Sequence, residues 1–207
     1  MALSYLALGD SYTIGELVPE AGRWPVQLAV QLREHGIDIA APRIIATTGW
    51  TTDELALALD LAEPIGEWDL VSLLIGVNNQ YRDRSVVQYA AEFLELLQRA
   101  IGYAHGRADR VLVLSIPDWS ATPLGATDPR GLIAIGDELD VFNLRAAELC
   151  ERNGVAFVDV TPVSRERGAE PDMVAEDGLH PSAAMYAQWT TLALPVAERL
   201  LRDVAPP

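Results

Sequence analysis

Residues 3–11 read Leu-Ser-Tyr-Leu-Ala-Leu-Gly-Asp-Ser, an apolar run over 3–8 that stops at Gly9, Asp10 and Ser11. A short run that is nearly continuous rather than alternating is the pattern of a strand buried on both faces. Four more such runs follow, "RIIAT" (43–47), "DLVSLLIG" (69–76), "RVLVLSI" (110–116) and "VAFVDV" (155–160). Between them lie "WPVQLAVQLREHG", "TTDELALALDLA", "SVVQYAAEFLELLQRAIGYAHG" and "GDELDVFNLRAAELCERNG", with apolar residues near the helical period, and "SAAMYAQWTTLALPVAERLLRDV" (182–204) closes the pattern. Strands alternating with helices imply right-handed crossovers and a parallel sheet covered on both faces. The expectation is one α/β domain across the 207 residues. Stretches 117–130 and 161–180, rich in Pro, Gly and Asp, read as long irregular loops.

Composition narrows the chemistry. Fifteen basic residues against thirty acidic ones give a formal charge of −15, which repels nucleic-acid phosphate and anionic lipid. All fifteen are Arg, and without Lys a P-loop, a kinase or a pyridoxal Schiff base lacks its defining residue. One cysteine, Cys150, excludes an intrachain disulfide and a thiolate-clustered metal site, and its place in "RAAELCERNG" suits a small buried hydrophobe. No run approaches the roughly 20 apolar residues of a membrane span. The opening apolar stretch has no basic segment before it and is short for a signal peptide, so the expectation is a soluble cytoplasmic protein.

In a parallel sheet of this kind ligands bind outside the carboxyl ends of the strands, so the residues following each strand are the ones to weigh. After the first come Gly9, Asp10 and Ser11; after the second Thr47, Thr48 and Gly49; after the third Gly76, Val77, Asn78 and Asn79; and the last loop ends in Asp177-Gly178-Leu179-His180-Pro181. Serine hydrolysis needs a hydroxyl, a base, a group that orients the base and donors for the oxyanion. Ser11 supplies the hydroxyl. His180 is the best-placed base, because His35 and His105 fall at helix ends before Gly36 and Gly106. Asp177, three positions before His180, can fold back onto the imidazole, although an isolated Asp-x-x-His more often stabilises a loop. Asn78 and Gly49 can donate to an oxyanion, and taken singly each is more often a turn residue.

Four blocks in order, "GDSYT", "TTGWTTDEL", "IGVNNQ" and "DGLHPS", resemble those of the SGNH hydrolases, the GDSL esterase and lipase superfamily. The resemblance spans residues 9–181. It implies that Ser11 is the nucleophile, that Asp177 and His180 complete the triad, and that Ser11 N–H, Gly49 N–H and the Asn78 side chain form the oxyanion hole. It also implies a flavodoxin-like three-layer α/β/α sandwich with strand order 2-1-3-4-5, and a metal-independent mechanism without cofactor. Ser11 is expected to start the first helix. One departure stands at the third block, where the family commonly carries Asp and this chain carries Asn79.

Around this constellation Trp50, Asn79, Tyr81, Trp119 and Met173 are candidate pocket residues, while Trp24, Trp68 and Trp189 read as core. The expected substrate is a small-molecule ester with a short acyl group such as acetyl. Alternatives are a lysophospholipase- or thioesterase-type acyl hydrolase and a non-catalytic binding module on the same fold.

Overall fold

A computed structural model describes residues 2–202. Five parallel strands, β1 (Tyr5–Gly9), β2 (Arg43–Ala46), β3 (Leu70–Leu74), β4 (Val111–Leu114) and β5 (Ala156–Val158), form one sheet in the order β2-β1-β3-β4-β5. Every residue of β1, β3 and β4 is buried, which is why their sequences are apolar on both faces. The runs read from sequence overrun these strands at their ends: Leu3 makes only an isolated bridge to Ile39, and β5 keeps three residues.

Among the described residues eight helices surround the sheet. They are α1 (Ser11–Ile14), α2 (Trp24–Glu34), α3 (Thr52–Ala62), α4 (Val77–Tyr81), α5 (Val86–Tyr103), α6 (Leu132–Arg152), α7 (Thr161–Arg167) and α8 (Ala183–Arg202). The helices α2 and α8 pack on each other, as do α3, α5 and α6 in sequence, giving the three-layer sandwich expected. Trp24, Trp189, Tyr5, Tyr89, Tyr186 and Phe93 are fully buried between the layers, and Trp68 packs half-buried against them. Cys150 lies on the inner face of α6, where burial pushes its thiol up to about 12. No helix among the described residues is long and apolar enough to cross a membrane.

Two expectations about loops are corrected. Within 161–180, read as irregular, residues 161–167 form α7, with Pro162 in the first turn where its missing N–H costs nothing. Helix α6 begins at Leu132, four residues before the periodic pattern, and Leu132 and Ile133 are exposed there, so periodicity had no apolar face to register. The segment 117–130 remains a loop with two short 3₁₀ turns, Trp119–Ala121 and Gly125–Thr127. Residues 203–204 of the closing pattern lie outside the described residues.

The register matters for the site. Gly9 of β1 pairs with Ala46 of β2 and with Leu74 of β3, so three strands end level and the residues after them leave the sheet together.

Candidate active site

The first turn is built by steric necessity. A Cβ at position 9 would lie 2.3 Å from the Leu74 carbonyl oxygen and 2.3 Å from Thr13 Oγ1, so only glycine closes β1 onto α1. Asp10 then caps the helix, its Oδ1 accepting from Tyr12 N at 3.0 Å, and Ser11 is the first helical residue. The cap is thus Asp10, and Ser11 starts the helix as expected. The first N–H groups of a helix have no intrahelical acceptor, so the Ser11 N–H is free to serve a ligand and lies at the positive end of the helix dipole.

Gly49 holds a φ of +87°, a left-handed conformation that costs glycine little. Its carbonyl accepts from Arg82 Nη2 at 2.7 Å, which fixes the peptide plane of the turn. Asn78, on α4, donates from Nδ2 to the Trp50 carbonyl at 2.9 Å. An amide nitrogen carries two hydrogens, so one is anchored and one remains for a ligand.

The base is oriented by its own loop. His180 Nδ1 lies 2.6 Å from Asp177 Oδ2, and Asp177 Oδ1 accepts from Leu179 N at 2.9 Å and His180 N at 3.0 Å. Partial burial works to raise the Asp177 carboxyl, but the hydrogen bond from His180 and those two backbone donors outweigh it and hold the group below its usual range. A carboxylate on Nδ1 makes that nitrogen the donor and leaves Nε2 as an acceptor. The Tyr12 ring packs edge-on to the imidazole, with centroids 6.1 Å apart.

Ser11, Gly49, Asn78 and His180 line one cleft of about 460 Å³, together with Tyr12, Thr48, Val77, Tyr81, Trp119, Leu124, Pro129 and Leu179. No hydrogen bond joins the Ser11 hydroxyl to the imidazole among the described residues, and bonds of this kind commonly tighten only around bound substrate. Chemically the arrangement offers a hydroxyl and an acceptor nitrogen backed by a carboxylate, on a cleft that Gly49 and Asn78 also line.

Of the candidate pocket residues, Tyr81 and Trp119 line the cleft, their rings edge-on at 5.7 Å. Asn79, Trp50 and Met173 do not line it. Asn79 is fully buried and bonded to Thr52, Trp50 packs against the core, and Met173 lines a small neighbouring cavity behind Trp119 and Leu179. Leu124, Thr127, Asp128 and Pro129 form a cleft wall that sequence reasoning did not single out. They come from a loop with no regular pattern, and the loop's Pro and Gly content was the one available signal. His35 and His105 are exposed and pair with Glu198 and Glu67, outside the cleft.

The model of the GDSL-like lipase/acylhydrolase family matches residues 7–188. Among curated proteins no match was found. Similar solved structures include TesA, at 20% identity and a TM-score of 0.74 over 96% of this chain and 99% of that one. A lipase/acylhydrolase from Enterococcus faecalis is 23% identical with a TM-score of 0.70, covering 98% and 97%. An acetylxylan esterase from Geobacillus stearothermophilus is 16% identical with a TM-score of 0.67, covering 96% and 94%. At these identities the structural likeness speaks for the fold.

Proposed function

The chain belongs to the GDSL-like lipase/acylhydrolase family and is a serine ester hydrolase, and from that premise we propose that it hydrolyses small carboxylic esters through an acyl-enzyme on Ser11. The observation that carries this reading is the meeting of Ser11, Gly49, Asn78 and His180 on one cleft, with His180 backed by Asp177 at 2.6 Å.

In the proposed reaction Ser11 Oγ attacks the ester carbonyl carbon while His180 Nε2 takes its proton. Negative charge collects on the carbonyl oxygen, facing the Ser11 and Gly49 N–H groups and the free amide hydrogen of Asn78. The imidazolium, stabilised by Asp177, hands the proton to the departing alkoxide, and the acyl group stays on Ser11. A water then gives its proton to His180 and adds to the acyl carbon; collapse releases the acid and returns the proton to Ser11.

A short acyl group, acetyl included, is the favoured substrate part, and acylated sugars and similar polar alcohols suit the Tyr81 and Trp119 rings. The apolar residues Val77, Leu124, Pro129 and Leu179 favour a second reading, a longer-chain acyl hydrolase of the lysophospholipase or thioesterase kind. A panel of p-nitrophenyl esters from acetate to laurate, with acetylated sugars and acyl thioesters, separates the two by where kcat/KM peaks. A fluorophosphonate is expected to label Ser11 and to leave Ser11→Ala unlabelled and inactive. A wild type that neither labels nor turns over any ester would make the fold a binding module here.

A further inference from the structure

The proposed reaction leaves one ionisable group beside the nucleophile without a task. Asp10 is fully buried, and its Oδ2 makes no hydrogen bond among the described residues. Its Oδ1 accepts from Tyr12 N at 3.0 Å, and the Gly76 N–H also faces the carboxyl. The backbone N–H groups of Tyr12, Gly76 and Asp10 itself favour the carboxylate, and complete burial with no cation beside it opposes them and outweighs them.

Among the described residues the surroundings supply no compensating charge. The ionisable side chains that feel Asp10 are Tyr12 of α1, Tyr89 of α5 and Tyr186 of α8, all buried phenols whose own ionisation is pushed upward. None of the groups acting on Asp10 is a cation. His180 stands beyond the Tyr12 ring and is tied to Asp177 instead. Burial pushes the Asp10 carboxyl up to about 7, against the pull of the Tyr12 and Gly76 backbone donors.

Position decides the consequence. Asp10 caps the same helix N-terminus whose first N–H belongs to Ser11. An oxyanion held at that N–H and a carboxylate on the adjacent, fully buried residue are like charges close together, and they repel.

We infer that Asp10 is a positioning residue for ester hydrolysis that works in its neutral form, and that loss of its proton places a buried anion which opposes the oxyanion at Ser11. The inference rests on the reading of Ser11 as nucleophile. It gives the activity an alkaline limb that the triad alone does not explain.

The test is the pH profile of kcat/KM on p-nitrophenyl butyrate for wild type and Asp10→Asn. Wild type is expected to peak near neutral pH and to fall about tenfold by about pH 9, the size expected of one charge acting through a protein interior. Asp10→Asn is expected to lose the alkaline limb and to match wild type on the acid side of the profile. A wild-type rate that stays level to about pH 9, or an alkaline limb that persists in Asp10→Asn, overturns the inference. Wild type alone decides the matter if the variant does not fold.

Thermal unfolding gives a readout independent of catalysis. A carboxyl raised in the folded state binds its proton there while the unfolded chain has lost it, so stability declines from about pH 4 to about pH 7 and then levels. Wild type should show this decline and Asp10→Asn should lack that share of it; equal slopes overturn the inference. If wild type hydrolyses no ester the proposed function falls, and the unfolding comparison still reads the Asp10 proton.

Discussion

Position 79 carries Asn where the family pattern commonly carries Asp, and its neighbours explain the exchange. Asn79 Oδ1 accepts from Thr52 N at 3.1 Å, and its Nδ2 donates to Thr52 Oγ1 at 2.6 Å and faces Glu92 Oε2 at 3.4 Å. Thr52 Oγ1 in turn donates to Glu92. A carboxylate at 79 would keep the bond from Thr52 N but set a second negative oxygen against Glu92 in a buried place. Asn79→Asp is therefore expected to destabilise by about 1–3 kcal/mol, lowering Tm by about 2–4 °C for each kcal/mol. Adding Glu92→Gln should recover most of that loss in a double-mutant cycle, and additive losses would show that the two groups do not interact. The same geometry shows why position 79 was misread as a pocket candidate. Consecutive residues on a helix point about 100° apart, so when Asn78 faces the cleft its neighbour turns inward. By contrast Ser11, Gly49 and Asn78 were legible because each falls within four residues of a strand's end, and His180 because it closes the last loop three positions after Asp177.

At the scale of elements, the cleft wall is held by contacts that no local pattern announces. Trp119 Nε1 donates to Gln80 Oε1 at 3.0 Å, and Gln80 reaches across to Glu138 on α6. Asp118, buried, accepts from Ser120 N, from Ser120 Oγ and from Arg165 Nε, while its own N–H donates to Ser164 Oγ on α7. The loop bearing Trp119 is thus riveted to α4, α6 and α7. Asp118→Ala leaves the Ser120 N–H buried without its acceptor and is expected to cost about 1–3 kcal/mol, read as a fall in Tm and a raised KM with kcat less affected. Asp140→Ala removes an exposed partner of the same Arg165 and is expected to change stability by less than about 1 kcal/mol. Equal effects in the two variants would show that burial of Asp118 is not what gives it weight. These rivets join residues some 40 positions apart, which is why the five strands and main helices were legible in the sequence and the wall was not. Short-period patterns report which face of an element is apolar, and they carry no information about a bond such as Asp118 to Arg165 or about α7, whose buried face is only Thr161 and Ser164.

For the whole molecule the decisive quantity is charge. Among the described residues most of the charged side chains behind the formal charge of −15 lie on the surface, Asp10, Asp118 and Arg110 being buried. Cations beside the cleft do not offset it locally. Arg130 lies over the Tyr81 and Trp119 rings and is bonded to Asp128, and Arg82, which fixes the Gly49 turn, pairs with Glu54. Each of these arginines is spent on holding the cleft's frame together with an acidic partner, so the mouth keeps the negative field of the whole. An approaching anionic ester is therefore disfavoured over a neutral one of the same size, and the penalty depends on screening. The Debye length shrinks from about 30 Å at 0.01 M salt to about 10 Å at 0.1 M, a change that reaches across most of a molecule this size. For p-nitrophenyl hemisuccinate kcat/KM is expected to rise several-fold, roughly 3–10 times, over that range, while p-nitrophenyl butyrate changes little. A fall with salt for the anionic ester would mean that Arg82 or Arg130 leaves its carboxylate to meet the substrate, and the field at the cleft would then be set by those two side chains rather than by the sum over the chain.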